Sequence, residues 1–315
     1  MPNNNFSPAS QRFQEAILRF PALWLLLICL VVYGRGLGGD FVLDDWPVVK
    51  ENSHITDFGY LADYFTGDVW GNTELNPLED SESYPLYRPL FLVALNAGHH
   101  LWGDNPVGYH ALNILVHGIN TILLFYLILG FLPANSTLSA FFSATLFAVH
   151  PVHVESVSWI SGLTDPLASM FLLGTFLLYR RYTTTKRTTF AILALTCFAS
   201  ALLCKEVAIF FPLVLISYDW IKKQSGVMRH LPYFSLIGVY FLIRGAALDQ
   251  GMNWSTYDFT KFPTLVEYTF RYIQLTAIPW PLDYYIGAPA SMPWAVFAGA
   301  LLALCALIHA ANALR

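Results

Sequence analysis

Charge is what this chain most conspicuously lacks. Only 12% of its 315 residues are Asp, Glu, Lys or Arg, while 56% are hydrophobic; a soluble domain carries about 25% charge. That deficit excludes a water-soluble globular fold, although the length alone would suit two soluble domains. An excess of one sign is also missing. The formal net charge is −4, so the chain has no basic footprint for nucleic acid. The four cysteines, Cys29, Cys197, Cys204 and Cys305, sit inside or at the ends of apolar runs without paired spacing. They form neither a disulfide framework nor a zinc pattern. No repeat with a period of about 20–50 residues and no low-complexity linker is visible.

What the chain does have is long apolar runs, of roughly the 15 to 25 residues needed to cross about 30 Å of hydrocarbon. The fold class is therefore an all-α polytopic membrane protein. The first run has a basic flank, but Gly34-Arg35-Gly36-Leu37-Gly38-Gly39 offers no Ala-x-Ala cleavage site, so it reads as an uncleaved span. Nine of the 17 basic residues cluster in three places: Arg12 and Arg19; Arg180, Arg181, Lys186 and Arg187; Lys222, Lys223 and Arg229. By the positive-inside rule these face the cytoplasm. Acidic residues fall mostly in the alternate loops.

This alternation predicts a cytoplasmic N-terminus at 1–17 and a single membrane domain over 18–315. The expected spans are 18–36, 107–132, 136–150, 166–179, 188–203, 207–220, 231–248 and 292–312. Residues 89–102 read as an interfacial helix. Residues 264–280 read as an outer-face helix or half-span, giving about eight to nine transmembrane helices. Three outer segments result: 37–106 with interfacial helices, 150–165, and 249–291. The 24 Phe, 17 Tyr and 9 Trp are mainly lipid-facing or interfacial belt residues.

The outer segments hold the residues that can do chemistry. Asp44-Asp45 are adjacent carboxylates just beyond the first span, and their repulsion raises one pKa and poises one as a base. A divalent metal between them stays open, and no other cofactor is indicated. Glu155 and Asp165 are acids in the second outer segment, at a depth where ionisable groups face a cavity or a partner. His150-Pro151-Val152-His153 supplies polar support, without the HExxH zinc pattern. Arg88, Lys205 and Arg244 are candidate phosphate ligands, the arginines because a guanidinium fork matches phosphate oxygens. Glu206 adjoins Lys205.

Several motifs occur in a fixed order: Phe41-Val42-Leu43-Asp44-Asp45, Tyr64-Phe65-Thr66-Gly67-Asp68-Val69-Trp70-Gly71, Tyr87-Arg88-Pro89-Leu90 and Pro106-Val107-Gly108-Tyr109-His110-Ala111-Leu112-Asn113. Then come Phe147-Ala148-Val149-His150-Pro151-Val152-His153-Val154-Glu155-Ser156-Val157, Gly162-Leu163-Thr164-Asp165, Lys205-Glu206 and Tyr218-Asp219. Together they resemble the membrane half of the transmembrane and tetratricopeptide-repeat O-mannosyltransferases, a branch of the GT-C glycosyltransferases. The resemblance covers about residues 38–285. The family's helical repeats have no counterpart in this sequence.

The resemblance implies a GT-C-like helix bundle that passes a monosaccharide, such as mannose, from a polyprenyl-phosphate donor to an acceptor hydroxyl on a protein or glycan, with inversion. It implies Asp44 as the catalytic acid of the first outer loop, with Asp45 second. Asp165 stands where related enzymes place another acid, and Arg88 and Lys205 would hold the donor phosphate. Short cytoplasmic loops lean towards a bacterial inner membrane, with the active site facing the periplasm. The rival reading is a transporter or flippase for a lipid-linked or anionic solute. Such a protein should show inverted repeats and mid-span acids, whereas these acids cluster on one face.

Overall fold

Proline opens the helices of this protein, because a missing N–H costs nothing in a first turn and the fixed φ suits it. The computed structural model describes residues 19–71, 85–133, 136–224, 226–248 and 262–279. Helix α1 is Pro21–Tyr33, α2 Pro89–Trp102 and α3 Pro106–Leu129, each starting on proline. Then follow α4 (Thr137–Val149), the short α5 (Val154–Ser158), α6 (Thr164–Thr185), α7 (Thr188–Cys204), α8 (Phe211–Ile221) and α9 (Leu231–Ala247). No strand occurs among the described residues. The chain divides into two units, Met1–Gly251 and Met252–Arg315; the described part of the second contains α10, Phe262–Ala277.

Three helical segments among the described residues are long and apolar enough to cross a membrane: Pro21–Gly38, Pro106–Leu129 and Ser161–Thr185. A fourth is reached if Thr137–Val149 and Pro151–Ser158, bent by 47°, count as one broken span. The sequence led us to expect eight to nine; α7, α8 and α9 have 17, 11 and 17 residues, short of the roughly 20 that a spanning helix needs. The expected N-terminus 1–17, the last span 292–312 and most of the 249–291 segment lie outside the described residues. Helix α6 also runs further than the expected 166–179. Arg180 and Arg181 belong to its last turns, and it stops where Lys186 adopts a left-handed φ of 57°.

In the first unit, α3 packs against α1, α4 and α6, and α6 forms an antiparallel hairpin with α7. Polar residues on α3 have a particular use. Asn113 donates to the carbonyls of Trp159 (2.6 Å) and Ile160, Asn120 to that of Pro166 (2.8 Å), and the His117 ring meets that of Ala148 (3.0 Å). Backbone that leaves the helical pattern at membrane depth must find partners inside the protein. These side chains supply them, so the 150–165 segment is tied to α3 as a set of short turns rather than a free loop.

The first outer segment is likewise built. Phe41, Val48, Val49, Ile55, Tyr64 and Val69 are buried against Phe91, Leu92 and Leu95 of α2. Asn96 of α2 donates to the carbonyls of Ile55 (3.0 Å) and Asp57 (3.2 Å) and to the Tyr64 hydroxyl (3.1 Å). The expected interfacial helix 89–102 thus serves as the platform for the 41–69 segment. It turns into α3 where Gly108 lets the chain pass Trp102; a Cβ there would lie 2.2 Å from the indole.

Candidate active site

The two carboxylates at 44 and 45 differ in their surroundings. Asp45 is fully buried. Its Oδ1 accepts from the Ser161 backbone N–H (2.8 Å) and the Ser161 hydroxyl (2.5 Å), and its Oδ2 accepts from the Val42 N–H (3.0 Å). The Asp45 N–H returns a bond to the Val42 carbonyl (3.0 Å), closing a tight turn in which Leu43 takes a φ of +51°. A left-handed conformation in a non-glycine residue costs about 1–2 kcal/mol. The Asp44 carboxylate is half-buried, with no hydrogen-bond or ion-pair partner among the described residues.

The electrostatics follow from this geometry. Burial, followed by the charge of Asp45, raises the Asp44 carboxyl above the usual aspartate range. Burial also raises Asp45, and the hydrogen bonds from Ser161 and Val42 bring it only partly back. Asp44 is therefore the carboxylate free to take a proton. Asp45 is the post that fixes it to the second outer segment, 116 residues away.

A second cluster gathers the basic candidates. Arg88 donates through Nε (3.2 Å) and Nη2 (2.8 Å) to the two oxygens of Glu206, a two-pronged pair. Lys205 Nζ lies 2.6 Å from Asp165 Oδ1. Burial acts to raise the Glu206 carboxyl, but the hydrogen bonds and charge of Arg88, aided by Lys205, outweigh it and leave its pKa below the ordinary glutamate value. Arg244, near the end of α9, reaches the Pro85 carbonyl at 3.4 Å. Lys50 pairs with Asp104 at 2.5 Å at the edge of the first segment. The structure thus brings Arg88, Lys205, Asp165 and Glu206 together through two ion pairs that join α2, α6 and the α7–α8 turn.

Other candidates have different settings. Glu155 is exposed in the first turn of α5. His150 accepts from the Val152 N–H (3.2 Å) and so caps the turn Pro151–His153. The His153 ring packs near Phe147, His117 and His150, with centroids 4.4, 5.1 and 6.1 Å away. Among the described residues no group of three or more His, Cys, Asp or Glu side chains is placed to hold a metal ion.

Three of the basic residues assigned to the cytoplasm, Arg180, Lys222 and Arg229, lie at the ends of the helices away from Asp165 and Glu206. Arg180 donates to the Gly130 carbonyl (2.6 Å) and, with Lys222, covers the Phe131 ring. Buried Asp219 there accepts from the Tyr179 hydroxyl (2.5 Å) and faces Arg229 (3.4 Å) and His230 (3.1 Å). On α6 the acidic candidate Asp165 and the basic Arg180 and Arg181 thus stand at opposite ends.

Two site residues had no signal in the sequence reading. Ser161 lies in Trp159-Ile160-Ser161-Gly162, and nothing in its spacing pointed to Asp45. His110 was part of a motif but received no role. It is buried, and its Nε2 lies 3.0 Å from where a Cβ on Gly39 would stand. Glycine at 39 lets the acidic segment lie against α3.

Fold and site together define a helical membrane protein with a carboxylate-bearing first outer segment anchored to the second and, apart from that anchor, a cluster of paired charges. Comparison with known proteins gives the relationship. Drosophila melanogaster Protein O-mannosyl-transferase Tmtc1 is 34% identical over 182 residues, which is 58% of this chain and 20% of that protein. Mus musculus Protein O-mannosyl-transferase TMTC1 is 36% identical over 198 residues, 59% of this chain and 20% of the relative. Mus musculus Protein O-mannosyl-transferase TMTC4 is 32% identical over 213 residues, 60% and 28% respectively. The chain is thus a homologue of the transmembrane and tetratricopeptide-repeat O-mannosyltransferases over about 60% of its length, and the match spans a fifth to just over a quarter of theirs. No family model and no solved structure matches.

Proposed function

We propose that this protein is an integral-membrane glycosyltransferase of the GT-C type that moves a monosaccharide, mannose by the names of its relatives, from a polyprenyl-phosphate donor to a protein or glycan hydroxyl. The observation that carries the reading is the contrast between the two adjacent aspartates. Asp45 is saturated by Ser161 and Val42, while Asp44 keeps a partnerless carboxylate with a raised pKa on the same turn. A general base needs that combination of accessibility and basicity.

In this mechanism Asp44 accepts the proton of the acceptor hydroxyl as its oxygen attacks the anomeric carbon. The bond from that carbon to the lipid-phosphate oxygen breaks, and the phosphate leaves with the electron pair. Attack opposite the leaving group inverts the centre. Arg88, Lys205 and Arg244 stabilise the departing negative charge; Asp165 holds Lys205 in place, and Glu206 orients Arg88 before the donor binds. Glu155 shapes the acceptor side from the second outer segment. Any divalent metal would sit at Asp44, since both oxygens of Asp45 are already engaged by protein donors. The acidic end faces away from the cytoplasm, which in a bacterial inner membrane is the periplasm.

The test is transfer by the purified chain in detergent, supplied with polyprenyl-phosphate mannose and acceptor peptides or glycans. Release of polyprenyl phosphate coupled to a glycosylated acceptor supports the reading. An intact donor that the protein instead carries across a proteoliposome bilayer would assign it to transport.

A further inference from the structure

Tyr240 has no place in the proposed mechanism, yet it is buried in the wall of the charged cluster with its hydroxyl unpartnered among the described residues. It precedes Arg244 by one helical turn on α9, so the two share a face. Its ring packs against Tyr87, the neighbour of Arg88, at a centroid distance of 6.0 Å. Its hydroxyl lies within electrostatic reach of Glu206, Arg244 and Arg88. Buried hydroxyls find partners in folded proteins, and a persistent exception calls for an explanation such as a ligand.

Glu206 suggests what is missing. Its carboxylate closes the Arg88 fork with two parallel hydrogen bonds, while its side chain stays 45% exposed and that of Arg88 only 15%. The arginine is thus fixed in the wall and the carboxylate is free to swing out. A carboxylate and a phosphate offer a guanidinium the same two-oxygen edge. Among the described residues Arg244 makes one long hydrogen bond, and its guanidinium carries further donors.

We propose that Glu206 is a stand-in anion: it occupies Arg88 until a phosphate group arrives and then leaves, so that the phosphate binds Arg88, Arg244 and the Tyr240 hydroxyl. The lipid phosphate thus displaces an internal carboxylate, so the fork stays oriented and neutralised between turnovers. This rests on the reading of Arg88 as a donor-phosphate ligand, and the experiment separates the two.

Binding of farnesyl phosphate and of inorganic phosphate is measured by calorimetry on the purified full chain in detergent, for wild type, Arg88→Ala, Glu206→Gln and Tyr240→Phe, with thermal unfolding as the folding control. Arg88→Ala should bind about tenfold or more weaker, Glu206→Gln about tenfold tighter and Tyr240→Phe several-fold weaker, in line with loss or release of one charge-assisted contact. Wild-type affinity in Arg88→Ala removes the phosphate reading itself. Weaker binding in Arg88→Ala with no tightening in Glu206→Gln overturns the stand-in role alone. If Glu206→Gln does not fold, Tyr240→Phe decides, since it deletes one buried hydroxyl and nothing else; unchanged affinity there overturns the pocket. Shifts with both probes assign the pocket to phosphate as such, and shifts with farnesyl phosphate alone assign it to a lipid headgroup.

Discussion

Replacing Asp45 by Asn should loosen the site even though the two side chains have the same shape. In Asp45 both oxygens accept: Oδ1 from the Ser161 N–H and hydroxyl, Oδ2 from the Val42 N–H. An asparagine must point its NH2 at one of these backbone donors, whichever way the amide turns. It thereby loses a charge-assisted bond, about 1.5–3 kcal/mol, and sets donor against donor. One effect opposes this loss. Burial already disfavours the ionised form of Asp45, so neutralising it relieves part of the desolvation. We expect a net destabilisation of about 2 kcal/mol for Asp45→Asn and about 1.5 kcal/mol for Ser161→Ala, which deletes the hydroxyl bond only. Because the two act on one contact, the double variant should fall short of the sum by about 1 kcal/mol or more. Reversible unfolding in mixed micelles measures all three. Transfer should fall in parallel, because Asp44 rides on the turn that Asp45 anchors. Additivity within about 0.5 kcal/mol would refute the idea that Ser161 holds the catalytic turn.

Three further outcomes follow from the same geometry. Arg88→Lys keeps the charge but loses the fork on Glu206, so donor affinity should drop while the fold persists, as read by calorimetry and thermal unfolding; unchanged affinity would remove Arg88 from the donor site. The rate needs ionised Asp44, whose pKa is raised, so kcat/KM should fall as pH drops through a value above the ordinary aspartate pKa of about 3.9. In Asp45→Asn the acid limb should move down as the neighbouring charge goes, and a limb that stays put would contradict the coupling. Single cysteines placed at 44, 153 and 205 should react with an impermeant reagent from outside intact cells, and those at 187 and 222 should not; labelling at 187 would invert the proposed orientation.

Hydropathy made the membrane class legible, because the period and length of an apolar run are local properties. The boundaries of α3, α4 and α7 came close for the same reason, aided by proline starts and polar caps. The span count did not follow, since α7, α8 and α9 stop short of membrane length and the end of the chain lies outside the described residues. The acids and arginines that line the site were visible as residue types out of place in an apolar chain. Their pairing was not. Asp45 with Ser161, Arg88 with Glu206 and Lys205 with Asp165 are 116, 118 and 40 residues apart, and no periodicity records such contacts. For the same reason the different fates of two adjacent aspartates were unreadable until their partners were placed. The α3 asparagines carried a signal that went unused: amides in an apolar span imply backbone to satisfy, here that of 159–166.

The central claim is that Asp44 is the base of a glycosyl transfer from a lipid phosphate. The direct measurement is turnover of polyprenyl-phosphate mannose by the Asp44→Asn protein in detergent, with donor binding measured separately on the same sample. The amide keeps the shape of the carboxylate but cannot take the proton, and a general base contributes about 10²–10⁴-fold to rate. Donor affinity should therefore match wild type while transfer falls by at least a hundredfold, about 3 kcal/mol of barrier. Wild-type turnover in Asp44→Asn would contradict the account.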